Sequence, residues 1–263
     1  MVFVAGHFGE WIQGLARPLS EVALVTLFCP ERGVSVIWDD APEFAIADPA
    51  GLVDRARAEV FLRAVGRPVR GKITVTPDLP PGGGAGISTA AFVALARAVC
   101  APEDRIAPAC LLVEGAVDPL MLARPDSVLW ASRSARVLDR MPPPPRAEIV
   151  AGFFGLPERT DPADRRFPRA DDLFADWVRG PDLPVAARLA SLSATRCTAL
   201  RGPQDDPTPA LAARLGALGW ARAHTGSARA LIFPPGGAPG GAETTLSDAG
   251  FAHVLRFATG GRT

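Results

Sequence analysis

The sequence predicts a two-domain α+β protein. Strand-like and helix-like segments are mixed in both halves of the chain, and four consecutive prolines, Pro142 to Pro145, stand between the halves as a stiff spacer. With 263 residues, 48% of them hydrophobic, the chain can bury one large core or two smaller ones. The expected units are residues 1–141 and 146–263.

In the first unit, EVALVTLF and GVSVIW read as strands flanking a turn, CPERG, that holds both Pro and Gly. Ala50 to Gly66 carries apolar residues at helical spacing with a glycine at its end, which predicts a helix. GKITVT alternates and is β-branched, so a strand leads into the loop PDLPPGGGAGI. STAAFVALARAV beyond the loop is apolar nearly all round, the pattern of a centrally buried helix. DRIAPACLLVEGAV reads as a further helix, or a helix and a turn, and SVLWASRSARVLDRM as a hairpin. In the second unit, RAEIVAGFF is strand-like, whereas LFADWVRG, LPVAARLASLSATRCTAL and PTPALAARLGALG are helical. WARAHTGSARALIFPP predicts a strand, a tight turn at Thr225–Gly226, and a second strand or helix. Pro234 to Ala242, PPGGAPGGA, reads as a flexible loop, and no internal repeat is visible.

Composition narrows the function classes. Lys+Arg and Asp+Glu both number 28, so no global field attracts nucleic acid or a membrane, and an anionic ligand must be held locally. Lys72 is the only lysine. Cys29, Cys100, Cys110 and Cys197 are scattered without a C-x-x-C pair or a histidine cluster, which predicts reduced thiols in a cytoplasmic setting rather than zinc or disulfides. The N-terminus lacks a basic region followed by a long apolar run, so no signal peptide is expected, and VALVTLF is too short to span a bilayer.

The loop before the buried helix is the strongest functional signal. A helix N-terminus has unpaired N–H groups and a positive dipole end, and glycines let backbone approach phosphate oxygens closely. Ser88 and Thr89 follow, where a hydroxyl can cap the helix or bind a phosphate-bound Mg²⁺. A Walker A loop is excluded because Gly-Lys-Ser/Thr does not occur, and no G-x-G-x-x-G or protein-kinase H-R-D or D-F-G set is present.

Pro80-Pro81-Gly82-Gly83-Gly84-Ala85-Gly86-Ile87-Ser88-Thr89-Ala90 resembles the phosphate loop of the GHMP small-molecule kinases, P-x-x-x-G-L-[GA]-S-S-[ST]-A, with Ile87 replacing the first serine. HFGEWIQG, His7 to Gly14, resembles the N-terminal motif of the L-threonine kinase branch, matching at Gly9, Glu10, Ile12, Gln13 and Gly14, with Ala5 at a position usually proline. AHTGSARALIF, Ala223 to Phe233, resembles that branch's C-terminal motif, with Ala230 replacing a glycine. FCPERGVSVIW and VDPLML are similar to further segments of the branch. The resemblance implies a two-domain fold, an S5-like α/β domain followed by a ferredoxin-like α/β domain.

It also implies roles. Pro81, Gly82, Gly83, Gly84, Ala85, Gly86, Ser88 and Thr89 would hold the phosphates of ATP, and Ser88, Glu114 and Asp118 would hold Mg²⁺. Asp118 aligns with the aspartate that contacts Mg²⁺ or accepts the substrate hydroxyl proton; by itself, an Asp before Pro119 reads as a turn residue. The branch carries a glutamate three residues earlier, where this chain has Gly115, and Glu114 is the adjacent carboxylate. Glu10, Gln13, His224, Thr225, Gly226 and Ser227 are candidate substrate residues, although a histidine such as His224 is more often packed and hydrogen-bonded than a proton shuttle. Asp205 and Asp206 read as solvated. The implied reaction converts L-threonine and ATP to O-phospho-L-threonine and ADP, for the aminopropanol linker of cobalamin. A kinase for another small alcohol, and a nucleotide-binding protein with little catalysis, stay open beside it.

Overall fold

The computed structural model describes residues 1–18 and 20–260, so the last three residues of the expected second unit lie outside the described residues. In chain order the elements are β1 (Val2–Ala16), β2 (Glu21–Asp39), β3 (Phe44–Ala47), α1 (Arg55–Ala64), β4 (Gly71–Pro77), α2 (Ile87–Ala98), α3 (Glu103–Glu114), β5 (Val128–Ala131) and β6 (Arg136–Arg140). They continue with β7 (Ala147–Phe153), α4 (Asp171–Trp177), α5 (Leu183–Arg201), α6 (Thr208–Leu215), β8 (Gly219–Arg222), β9 (Ala228–Phe233), α7 (Ala242–Asp248) and β10 (Ala252–Thr259).

The fold is mixed α+β around one sheet in the order β10-β7-β9-β8-β1-β2-β4-β3, with the β5–β6 hairpin joined to β2. Only β3 and β4 run parallel; the other pairs of this sheet are antiparallel. β1 lies at the centre and is buried continuously from Gly6 to Gly14. A strand covered on both faces shows no polar alternation, and the glycines within this one read as breaks, so its pattern does not announce it. Its register against β2 slips between His7 and Glu10, and at that slip Glu10 pairs with Arg222 of β8. The two halves of the chain therefore share the sheet at the place where the HFGEWIQG segment sits. Pro142 to Pro145 join β6 to β7.

The expected turn at CPERG is not a turn. β2 continues through it for 19 residues, and Pro30, Glu31 and Arg32 form a bulge between the pairs Gly6↔Cys29 and Ala5↔Gly33. The predicted helix at Ala50 starts later, at Arg55. Asp48 accepts from the N–H groups of Ala50 (3.1 Å) and Val53 (2.6 Å), and Asp54 then caps α1 by accepting from Arg57 N at 2.8 Å. The second arm of the 219–233 hairpin is a strand. The loop expected to be flexible is fastened: Glu148 accepts from Ala238 N at 2.8 Å, Arg256 donates to Pro239 O at 3.0 Å, and α7 begins at its last residue.

α2 is buried along nearly its whole length, as its apolar composition predicts, and packs on β1, β2 and β4. Phe92 of α2 meets Phe61 of α1 with ring centroids 4.9 Å apart. α5 packs on β1 and β8, and Trp177 of α4 meets Trp11 of β1 at 5.5 Å.

Asp206, expected to be solvated, has its side chain sequestered instead. Arg229 Nε donates to its Oδ2 at 2.5 Å, with the two side chains 1% and 2% exposed, and Thr208 N donates to its Oδ1 at 3.0 Å. The guanidinium charge in the core requires this partner. Asp206→Ala is expected to cost about 3–5 kcal/mol, because it strands a buried cation. Urea unfolding measures this, and a loss below about 1 kcal/mol would place the pair among those of negligible weight.

Candidate active site

The glycine loop is shaped by backbone contacts that leave no room for side chains. Gly82, Gly84 and Gly86 have φ of 72°, 76° and 67°, a region that L-residues rarely adopt. The carbonyls of the loop are held from outside: Glu158 N donates to Gly82 O at 2.9 Å, Ala228 N to Gly83 O at 2.8 Å, and His7 N to Ala85 O at 3.1 Å. A Cβ on Gly84 would overlap Thr225 O, and one on Gly226 would lie 2.6 Å from Gly83 C. The loop thus rests backbone to backbone on the turn between β8 and β9. Gly86 is the N-cap of α2, and among the described residues no side chain caps that helix. Its first-turn N–H groups and dipole face a position suited to an anion.

Ile87, which replaces a serine in the resembling motif, is only 3% exposed and packs into the core. Ser88 and Thr89 follow it on the first turn of α2, and both reach Glu114 at the last turn of α3. Ser88 Oγ donates to Glu114 Oε1, and Thr89 Oγ1 donates to Oε2 at 2.9 Å. Arg57 lies 3.3 Å from the same carboxylate. α3 stops here because Gly115 takes φ +70° as its C-cap. Glu114, one residue earlier than the motif position, is therefore the carboxylate delivered to the loop. Burial raises its pKa to about 7, opposed by the two hydroxyl hydrogen bonds and Arg57.

Asp118 is set on the other side of Thr89. Its N–H donates to Thr89 Oγ1 at 3.4 Å, while Val117 N donates to Ser132 O at 2.9 Å and Trp130 Nε1 to Val117 O at 2.7 Å. The segment is thereby clamped between α2 and β5. Asp118 Oδ2 lies 3.3 Å from His7 Nε2, and Glu10 Oε1 lies 3.6 Å from His7 Nδ1. Burial lowers the His7 pKa more than any other single influence, but Asp118 and Glu10 together outweigh it and hold the group at about 9. Glu10 is pushed up to about 8, chiefly by burial, against the pull of His7.

These groups line one cleft of about 300 Å³ that runs from Leu52 and Val113, over the glycine loop, to His224 and Arg133. Among the expected site residues, Pro81, Gly82, Gly84, Ala85, Gly86, Ser88, Thr89, Glu114, Asp118, Glu10, His224 and Thr225 all face it. His224 stacks flat on Phe167 at 4.1 Å and is held neutral by burial and by the surrounding cations, Arg133 first among them. Gly83 and Gly226 form the contact beneath the loop, and Ser227 gives its carbonyl to Phe154 N at 2.8 Å. Gln13 is turned to the fold: it donates to Arg222 O at 3.0 Å and accepts from Cys197 Sγ at 3.5 Å. Other cleft residues, among them His7, Arg57, Arg133 and Arg159, are not singled out by the sequence reading. His7 lies within the quoted HFGEWIQG motif, whereas nothing near the arginines marks them among so many.

The oxygen donors Ser88, Glu114 and Asp118 suit a hard cation such as Mg²⁺. His7, Glu10 and Asp118 also place ligand atoms within 4.8 Å of one another. Asp118 belongs to both sets.

Two expectations follow from this geometry. The folded protein holds the Glu114 proton to about pH 7, against an ordinary value of 4.5. Its contribution to stability is therefore full below the lower value and is lost as pH rises through the upper one. The unfolding free energy of the wild type relative to Glu114→Gln, measured in urea, should fall over that window by on the order of 1–3 kcal/mol; parallel pH profiles would refute the shift. Gly84→Val should abolish nucleotide affinity measured by calorimetry, because its Cβ overlaps Thr225 O and its φ of +76° is strained. Retained affinity would show that the loop does not hold phosphate.

No protein-family model matches the chain, and no curated protein matches it in sequence. Solved structures do match, over nearly the whole length of both chains. A 4-(cytidine 5'-diphospho)-2C-methyl-D-erythritol kinase superposes with TM-score 0.58 at 19% identity, covering 100% of this chain and 99% of its own. The mevalonate kinase of L. major, solved with R-mevalonate, gives 0.62 at 12% identity and covers 98% and 94%. The homoserine kinase of Cytophaga hutchinsonii gives 0.54 at 14% identity, with coverage of 98% and 94%. Among the described residues no helix is long and apolar enough to cross a membrane. The fold is that of the GHMP small-molecule kinases.

Proposed function

We propose that this chain transfers the terminal phosphoryl group of ATP to the hydroxyl of a small alcohol, with L-threonine as the acceptor. One observation carries the reading: an uncapped helix N-terminus behind three left-handed glycines shares a single cleft with the Ser88–Glu114 pair and with Asp118. Threonine is favoured by the HFGEWIQG and AHTGSARALIF segments, whose Glu10 and His224 reach the acceptor end of that cleft. Its product, O-phospho-L-threonine, would supply the aminopropanol linker of cobalamin.

Phosphoryl transfer asks a protein mainly for positioning and charge neutralisation. The backbone N–H groups opening α2 hold phosphate oxygens, and Gly82, Gly84 and Gly86 permit the close approach. Mg²⁺, held by Ser88, Glu114 and Asp118, would neutralise charge on the phosphates when bound. The acceptor oxygen forms its bond to the γ-phosphorus as the bond to the bridging oxygen breaks, and ADP leaves. Asp118 takes the hydroxyl proton. His7, 3.3 Å away, orients that carboxylate. Neutral His224 leaves the acceptor end without an added cation.

Release of ADP from Mg²⁺-ATP over a panel of amino and sugar alcohols tests the reading. Nucleotide binding without ADP release for any alcohol would remove it. Asp118→Asn should lower turnover by about 10²–10⁴-fold, the usual worth of general-base assistance, while nucleotide binding persists. Turnover within about threefold of wild type, short of that range, would take the catalytic role away from Asp118.

A further inference from the structure

Arg133 lies two residues beyond the end of β5 and lines the cleft with Asp118, His224 and Thr225. Arg229 and Arg201 each hold a carboxylate at 2.5 Å, Asp206 and Asp164 respectively, while the buried Arg222 of β8 donates to Thr198 Oγ1 and Gly202 O at 2.7 Å. Arg133 holds none among the described residues. Its Nη1 donates to Ser132 Oγ at 3.3 Å and its Nη2 to Asp161 O at 3.3 Å, both neutral and long. Its Nε is buried with no partner in the protein. Arg133 is half-buried and its guanidinium lacks a paired anion, and five-donor forks of this kind recognise carboxylates in two-point fashion. Burial disfavours its charge most, Asp118 and Asp164 favour it, and Arg165 and Arg201 oppose them. Across the same cleft stand the carboxyl groups of Glu10 and Asp118, and Glu10 has both oxygens buried without hydrogen bonds. The flat pair His224–Phe167 adds an uncharged stack to that end of the cleft.

We propose that Arg133 is the carboxylate-recognising residue of the acceptor pocket, and that the acceptors are hydroxy acids with a free carboxylate, the amine of an amino acid lying toward Glu10. This rests on the kinase reading above for turnover, but not for binding. A different role is open to an arginine in such a cleft, namely contact with the transferring phosphoryl group. The two differ in what the side chain discriminates. A carboxylate anchor separates acids from their amides, whereas a phosphoryl contact affects all acceptors alike.

The experiment pairs L-threonine with L-threoninamide and L-homoserine with L-homoserinamide, in wild type, Arg133→Gln and Arg133→Lys. Turnover is measured with Mg²⁺-ATP, and binding by calorimetry with a non-hydrolysable ATP analogue. Wild type should prefer each acid over its amide by about 10–100-fold, the worth of hydrogen bonds to a charged group. In Arg133→Gln that ratio should collapse to near unity, and Arg133→Lys should keep part of it, since charge remains without the fork. Thermal melts establish that both variants are folded, and the lysine variant serves if glutamine is not. Equal handling of acids and amides by wild type would overturn the proposal, as would absence of binding by any of the four. An acid preference that survives in Arg133→Gln, or a loss equal for acid and amide, would also overturn it. Turnover of a sugar alcohol alone would sink the proposal and keep the kinase. Acid-dependent binding without ADP release would keep the proposal and sink the kinase.

Discussion

Three backbone segments meet at the head of the cleft with no side chain between them. A Cβ on Gly6 would lie 2.6 Å from Ala85 O, one on Gly84 would overlap Thr225 O, and one on Gly226 would press on Gly83. These segments come from the start of β1, the loop before α2 and the turn between β8 and β9. Each carries a side chain of the candidate site one or two residues away: His7 beside Gly6, Ser88 beside Gly86, Thr225 beside Gly226. Backbone contact therefore sets the distances among groups that are far apart in sequence, because peptide units are stiff and close-packed interiors resist displacement. The helix N-terminus, the His7–Asp118 pair and the Thr225 turn are placed by one constraint rather than by three local ones.

The same closeness creates an electrostatic cost. Glu10, Glu114 and His7 are sequestered, and burial pushes both carboxyl groups upward. Buried ionisable groups are poor devices for stability, since desolvation rivals the attraction they gain. Clusters of them in a cleft, with orphaned atoms on His7, Glu10, His224 and Arg133, fit a surface prepared for a polar ligand that completes the hydrogen bonding. The Arg229–Asp206 pair provides the contrast: its side chains are equally buried and satisfied within the fold, and it does not line the cleft.

Local pattern made part of this legible. The GKITVT strand, the apolar helix after the glycine loop, the hairpin at 128–140 and the long helix of the second half are stated by periodicity. β1 is silent because a strand buried on both faces has no alternation, and its glycines mimic breaks. The bulge at Pro30 to Arg32 shows how turn residues can instead be absorbed inside a long strand. In the site, the glycine loop with Ser88 and Thr89 could be read from one stretch of chain, and Glu10, His224 and Thr225 from motifs. Arg57 and Arg133 could not, because their meaning lies in what they fail to pair with or whom they meet across the fold. Gln13 shows the converse, a motif residue whose hydrogen bonds go to β8 and α5 rather than to the cleft.

The positions where this chain departs from the resembling motifs bear on whether the cleft is equipped for chemistry. Ile87 stands where a serine is usual, yet its side chain is packed into the core, and the hydroxyl of Ser88 meets Glu114. Gly115 stands where a glutamate is usual, yet its left-handed φ ends α3 with Glu114 facing the loop. Ala230 replaces a glycine within β9, where it pairs with Ala151 and Ala221 in the sheet and does not line the cleft. A carboxylate displaced by one residue along a helix would ordinarily rotate by about 100°, away from its target. Here the helix ends at that residue, and Ser88, Thr89 and Arg57 converge on the displaced carboxylate from α2 and α1. Although the motif position is a glycine, the Ser88 and Thr89 hydroxyls thus stay in hydrogen-bond contact with a carboxylate.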